Sequence, residues 1–315
     1  MTSGFRPAGR GRLVRALAGQ GYLSAVACVT TGVVEQARQR HGLSPTATAA
    51  LGRLLTAAAL LASLLKGRER VLLQVVGDGP LRHVVAEGEA GGGVRGYVGN
   101  PHVDLPPTPA GKLDVAGAVG KGQLVVVRDL GLKEPYRGAV PLVSGEIAQD
   151  MAYYLARSEQ TPSAVALGVL VDTDGSVKAA GGWLVTVLPG AEESLLARWE
   201  QTLKAAPPVT EVLAASRRPS AVGLLRSALG GEPFRVLERR VVRYRCPCRR
   251  WRLEAGLMAL GSQELDQMAS GPDGVELVCH FCGRRYRVSA ARLRQLSRRV
   301  GEARVRAATE GWLES

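Results

Sequence analysis

The chain has 315 residues, 46% of them apolar, and a formal net charge of +13. That length exceeds one usual hydrophobic core and predicts a large domain joined to a smaller one. No apolar run reaches the ~18 residues of a membrane helix: the longest, Leu54 to Leu65, lies between Arg53 and Lys66 and reads as a buried helix, so no membrane partner is expected.

Aromatic residues make up only 4% of the chain, so the expected core is built from Leu, Val and Ala. The charge is uneven. Residues 216–315 hold 20 of the 41 basic residues, all Arg, against 10 of the 28 acidic ones. Such asymmetry suits contact with nucleic acid, and it equally suits a coding bias toward Arg, Ala and Gly.

The N-terminal arginines, Arg6, Arg10, Arg12 and Arg15, precede Ala25-Val26-Ala27-Cys28 and faintly imitate a signal peptide. Gly19, Gln20, Gly21 and Ser24 break the apolar run that such a signal needs. Cys28, in a strand-like apolar stretch, reads as a core residue. Ser44-Pro45 then starts a long apolar helix from Leu43 to Lys66, with proline in the first turn.

Strand-like runs follow at Val71–Val76, Leu81–Glu87 and Val94–Val98. Gly77-Asp78-Gly79-Pro80 makes a hairpin of the first two. The sheet pattern continues at Leu124–Val127, Tyr136–Leu142, Ala164–Val171 and Val177–Leu188, interrupted by a helix from Ser144 to Arg157. Strands met in hairpin order with segregated helices predict an α+β fold rather than a doubly wound parallel sheet. Two glycine motifs carry no nucleotide chemistry. Gly91-x-Gly93-x-x-Gly96 lies between two strands instead of opening a helix, and Gly117 to Gly122 lacks the spacing and hydroxyl of a phosphate loop.

Pro189-Gly190 closes this body, giving residues 1–190 as an α+β core domain of hairpin-connected sheet with flanking and buried helices. Residues 191–233 form a helical linker punctuated at Pro207-Pro208, Arg218-Pro219 and Gly230-Gly231. Its first helix places Leu195, Leu196, Trp199 and Leu203 on one face, an apolar stripe that needs a surface to cover.

From Phe234 the reading enters a small cysteine domain, 234–300, followed by a basic tail, 301–315. Arg250–Leu260 and Ser262–Ala269 are predicted helices, with Ser262 as an N-cap. Val275–Val278 and Tyr286–Val288 form a hairpin whose bend carries Cys279-His280-Phe281-Cys282-Gly283.

Cys246-x-Cys248 and Cys279-x-x-Cys282 together make a four-thiolate metal site, in which zinc takes a tetrahedral sulfur shell and His280 is not needed. A closed shell of this kind leaves no open position for water, so a zinc enzyme is not expected. On spacing alone the site reads as a staple that folds a tail. Nearby Arg245, Arg249, Arg250, Arg284 and Arg285 favour thiolate over thiol, which marks the site as a target for oxidants. Cysteines at metal spacing fit a reducing cytoplasm.

At these residues the chain resembles the bacterial 33-kDa heat-shock protein family, the redox-regulated holdase chaperones. The likeness rests on the two cysteine pairs, on Gln74-Val75-Val76-Gly77-Asp78-Gly79-Pro80, on Arg157-Ser158-Glu159-Gln160-Thr161-Pro162, and on Ala180-Gly181-Gly182, met in this order. The resemblance implies a chaperone without ATP hydrolysis, inactive while reduced and zinc-bound. It implies that oxidation by hypochlorite, or by peroxide with heat, pairs Cys246 with Cys248 and Cys279 with Cys282 and releases zinc. The switch domain and linker then unfold, the stripe of Leu195, Leu196, Trp199 and Leu203 being part of the cover that lifts. Unfolding client proteins are held, the active form dimerises, and clients pass to ATP-dependent foldases. The alternative reading is a zinc-containing nucleic-acid-binding protein, motivated by the basic C-terminal part.

Overall fold

The computed structural model describes residues 10–271 and 273–311, with side chains through residue 302. The chain divides between Arg245 and Cys246 into two units.

The first unit runs β1 (Arg10–Ala18), β2 (Leu23–Val29), α1 (Thr31–His41), α2 (Pro45–Ala62), β3 (Arg70–Gly77), β4 (His83–Glu89), β5 (Gly93–Val98), α3 (Val115–Val119), β6 (Gly122–Asp129), β7 (Tyr136–Pro141) and α4 (Ile147–Arg157). It continues with β8 (Ser163–Val171), β9 (Val177–Val187), α5 (Glu193–Ala205), α6 (Val209–Ala214), α7 (Ala221–Leu229) and β10 (Phe234–Tyr244). All ten strands form one sheet in the order β7-β6-β3-β4-β5-β10-β1-β2-β9-β8. Every neighbouring pair is antiparallel except β5 with β10, which run parallel over Arg243–Gly93 and Tyr244–Val94. The α+β expectation therefore holds, with hairpins at β1–β2, β3–β4, β4–β5, β6–β7 and β8–β9.

The Ser44-Pro45 start is where the sequence places it, and α2 is the central helix of one sheet face. By length and composition it is long and apolar enough to cross a membrane, but nearly all of it is buried inside this unit. Helices α5, α6 and α7 cover the opposite face. Two adjacent glycines on β9 show why both sides can approach so closely. A Cβ on Gly182 would meet Ala166 O at 2.6 Å and Thr56 Cγ2 of α2 at 3.1 Å; one on Gly181 would meet Cys28 O at 2.6 Å and Leu213 Cδ1 of α6 at 3.0 Å. Successive strand residues point to opposite faces, so this pair is squeezed between two layers of helix.

Several boundaries differ from the sequence reading. The helix expected from Ser144 starts at Ile147, because Ser144 is held outside it: its N–H and that of Val143 donate to Asp150 Oδ1 at 3.0 and 2.8 Å. Helix α1 was not predicted. It is short, and only Val33, Val34 and Ala37 face the core. Phe234–Tyr244, expected to open the cysteine domain, is instead a strand inside the large sheet, paired with β1 from Arg10–Arg243 to Ala18–Phe234.

The second unit contains α8 (Arg250–Met258), α9 (Ser262–Met268), the hairpin β11 (Val275–Val278) and β12 (Arg285–Val288), and α10 (Ala290–Gly311). Helix α10 runs through the boundary at 300 where the sequence reading began a basic tail. Ser262 is the first helical residue of α9 rather than its cap; Gly261, at φ 104°, takes the cap position. The core here is small: Leu257, Leu265, Ala269, Val288, Leu293 and Leu296. Glu254 on α8 is buried against it and is held by Arg292, with Nη2 to Oε2 at 2.6 Å, and by Arg250 at 3.3 Å.

Candidate metal centre and linker cover

The bend of the β11–β12 hairpin is a tight knuckle. Cys279 N–H donates to Arg284 O at 2.9 Å, and the N–H groups of Cys282 and Gly283 turn back to Cys279 O at 3.2 and 2.8 Å. Gly283, at φ 65°, takes the left-handed conformation that closes the turn. This folds Sγ of Cys279 and Cys282 inward, where both residues are buried.

The Cys246-Pro247-Cys248 segment supplies the other two sulfurs, and the four Sγ atoms lie within 4.8 Å of one another. Cys246 Sγ is 3.7 Å from Cys279 Sγ, and Cys248 Sγ is 3.3 Å from Cys282 Sγ. Metal–sulfur bonds of ~2.3 Å in a tetrahedron require sulfurs ~3.8 Å apart, so these four residues fit a metal ion held by thiolates alone. His280 sits in the knuckle but does not join this cluster.

Tyr286, on β12, was not singled out from the sequence. Its Oη lies 3.4 Å from Cys248 Sγ and 3.2 Å from Cys248 O, so its single proton is shared between the sulfur and the carbonyl. Burial works against ionisation of Cys248, but hydrogen bonds from Tyr286, Cys282, Cys246 and Cys279 outweigh it and bring the thiol down to about 7. Burial pushes Cys279 and Cys282 the other way, with the nearby sulfur charge of Cys246 adding to the effect. The arginines expected to favour thiolate are partly engaged elsewhere, Arg250 with Glu254 and Arg285 with Glu276. The hydroxyl and thiol neighbours therefore do most of what the sequence reading ascribed to arginine.

Cys28, as expected, is a core residue on β2, and burial alone raises its thiol far above the ordinary value.

The linker stripe lies on the sheet. Leu195 and Trp199 are buried in a cluster with Val14, Ala16, Ala18, Leu23, Ala25 and Ala27 of β1 and β2, and Leu203 packs against its edge. Leu196 is only half-buried and lies outside that cluster. Helices α6 and α7 add Val209, Leu213, Leu224, Leu225 and Leu229. Each Leu or Trp buried this way contributes roughly 1.5–3 kcal/mol. Trp199 Nε1 donates to Ala228 O at 3.0 Å, which satisfies its one polar atom.

The chain matches a family model described as "Hsp33 protein" over residues 11–289. It is 46% identical to the 33 kDa chaperonin of Desulforamulus reducens over 92% of this chain and 98% of that one. Against the 33 kDa chaperonin of Geobacter sulfurreducens the identity is 48%, covering 90% and 94%. The crystal structure of the 33 kDa chaperonin (heat shock protein 33 homolog) from Thermotoga maritima superposes with a TM-score of 0.86 at 41% identity, covering 91% of this chain and 97% of that one. With the family model, the relatives and the solved fold agreeing over nine-tenths of its length, this chain belongs to the Hsp33 family of chaperones.

Proposed function

We propose that this chaperone is an ATP-independent holdase, inactive while its four cysteines hold zinc and switched on when they are oxidised. The observation that carries this reading is the gathering of four sulfurs within 4.8 Å in a unit whose own apolar core is small. Bound there, zinc supplies the crosslink between the Cys246–Cys248 segment and the knuckle. Such a site contributes ~10–16 kcal/mol, comparable with the ~5–15 kcal/mol total stability of a domain, so loss of the ligands unfolds the second unit.

Oxidation pairs Cys246 with Cys248 and Cys279 with Cys282. Each thiolate pair gives up two electrons and forms one S–S bond as zinc leaves; one hypochlorous acid takes up the electrons with one proton from solvent to give chloride and water, or one peroxide takes them up with two protons to give two waters. The intervening Pro247 fixes its own φ and biases Cys246 toward extended backbone, which makes the first bridge easily reduced again. Unfolding then passes into the linker, α5–α7 lift, and the apolar face of β1, β2 and β9 becomes available to unfolding proteins. The active form is a homodimer in the cytoplasm and hands its clients to ATP-dependent foldases.

The test is suppression of thermal aggregation of a model client by reduced and oxidised protein, with zinc release followed in the same samples. Activity confined to the oxidised, zinc-free form is expected; equal activity in both states, or zinc retained after complete oxidation, would overturn the switch.

A further inference from the structure

The sheet face covered by α5–α7 does not end at the cover. Val14 of β1 belongs to the covered cluster, and its cross-strand partner on β10 is Arg239. The next pairs along the same face are Arg12 with Val241 and Arg10 with Arg243. All five of these residues, Arg10, Arg12, Arg239, Val241 and Arg243, are exposed, Val241 at 40%. Directly opposite side chains stand ~5 Å apart at Cβ, and like charges so placed repel. None of the four arginines has an ion pair among the described residues. Carboxylates on the neighbouring strands of this face are engaged, Glu89 with Arg245 and Glu87 with Arg95. The arginines of β1 and β10 that do pair, Arg15 and Arg240, meet Glu238 instead.

We propose that this arginine margin selects the client: the holdase surface takes apolar segments of unfolded chains flanked by acidic residues. The inference rests on the holdase reading, because the apolar half of the site is the face that α5–α7 vacate. A segment lying on β1 and β2 in their place runs off that face onto Arg239, Arg12, Arg10 and Arg243, with Val241 as an apolar step between them. Aspartate or glutamate there relieves the repulsion between Arg10 and Arg243, whereas lysine adds to it. Exposed charges on this margin also steer acidic chains during encounter.

The experiment uses the oxidised full chain and two labelled peptides with one apolar core, flanked by four aspartates in one and four lysines in the other. A few exposed pairs, each of a few tenths of a kcal/mol, amount to about tenfold tighter binding of the acidic peptide at low salt, and the ratio collapses at high salt. In Arg239→Glu/Arg243→Glu protein the two glutamates offset Arg10 and Arg12, so the preference disappears while binding of the lysine-flanked peptide tightens, a gain that misfolding cannot produce. Equal affinity for the two peptides, or a preference that the double variant leaves untouched, would overturn the inference while leaving the holdase intact. Tight capture of a uridine homopolymer without discrimination between the peptides would reassign the margin to nucleic acid. Binding of neither peptide would sink the holdase reading and this inference with it.

Discussion

Trp199 Nε1 hydrogen-bonds Ala228 O at 3.0 Å, so the first linker helix is tied to the third as well as to the sheet. Replacing Trp199 with Ala removes a buried ring and leaves that carbonyl without its donor. The docked α5 should lose about 3–5 kcal/mol, and the reduced protein should suppress client aggregation without any oxidant. The reading is aggregation light scattering together with binding of an apolar dye, both measured on zinc-loaded protein.

Gly230 ends α7 at φ 57°, and a Cβ there would collide with Thr202 of α5. Gly230→Ala should cost about 1–2 kcal/mol from the left-handed backbone alone, plus the clash. Pairing it with Thr202→Ala should recover the part of the clash due to Thr202 Cγ2 and Oγ1, but neither the 2.9 Å contact with Cβ nor the backbone cost. Thermal unfolding of the single and double variants separates the two.

Tyr286→Phe removes the hydroxyl beside Cys248 Sγ and Cys248 O. Hydrogen bonds around a metal shell orient its ligands, and their loss typically costs about tenfold or more in affinity. Zinc competition with a coloured chelator should show that drop while far-UV circular dichroism of the loaded protein stays unchanged.

Stripping the metal under reducing conditions, or replacing Cys246 with Ser, should unfold the second unit while the ten-stranded sheet stays folded. Trypsin would then cut at Arg249, Arg252, Arg287 and Arg292, while the sheet unit, with its own core, survives as a resistant fragment.

Glu35 on α1 accepts hydrogen bonds from Arg38, from Gln39 and from the N–H of Val177, where β9 begins. Burial opposes its ionisation, but these partners outweigh it and hold the carboxyl below its ordinary value. A depressed carboxyl contributes stability that is complete above about pH 5 and is lost as the pH falls through the folded value. Glu35→Gln should therefore lower the unfolding free energy read from urea titration by about 1–2 kcal/mol at pH 7, and the gap from the parent protein should close as the solution is acidified.

The cluster of four sulfurs was legible because four cysteines at two short spacings admit few other uses, and the β3–β4 hairpin because Gly77–Pro80 is turn chemistry. Strand β10 was not. Its burial alternates regularly, but Glu238 and Arg240 take the inner positions while Leu237 and Val241 are exposed, so its sequence shows no apolar alternation and it read as the start of the cysteine domain. Leu196 lies about 20° from Leu203 and about 60° from Trp199 around the helix, within the stripe by spacing, yet it is only half-buried and outside the cluster. Tyr286 gave no signal, because its value lies in reaching a sulfur 38 residues away.

Strand β10 also has a consequence for how the chain folds. It stands between β5 and β1, which do not pair with one another, and its ion pair from Arg15 to Glu238 closes a loop of 223 residues. Until that last strand arrives, each half of the sheet presents a raw edge to other chains. Contacts so distant in sequence form slowly. This chaperone is thus, during its own synthesis, an aggregation-prone protein of the sort it is built to protect.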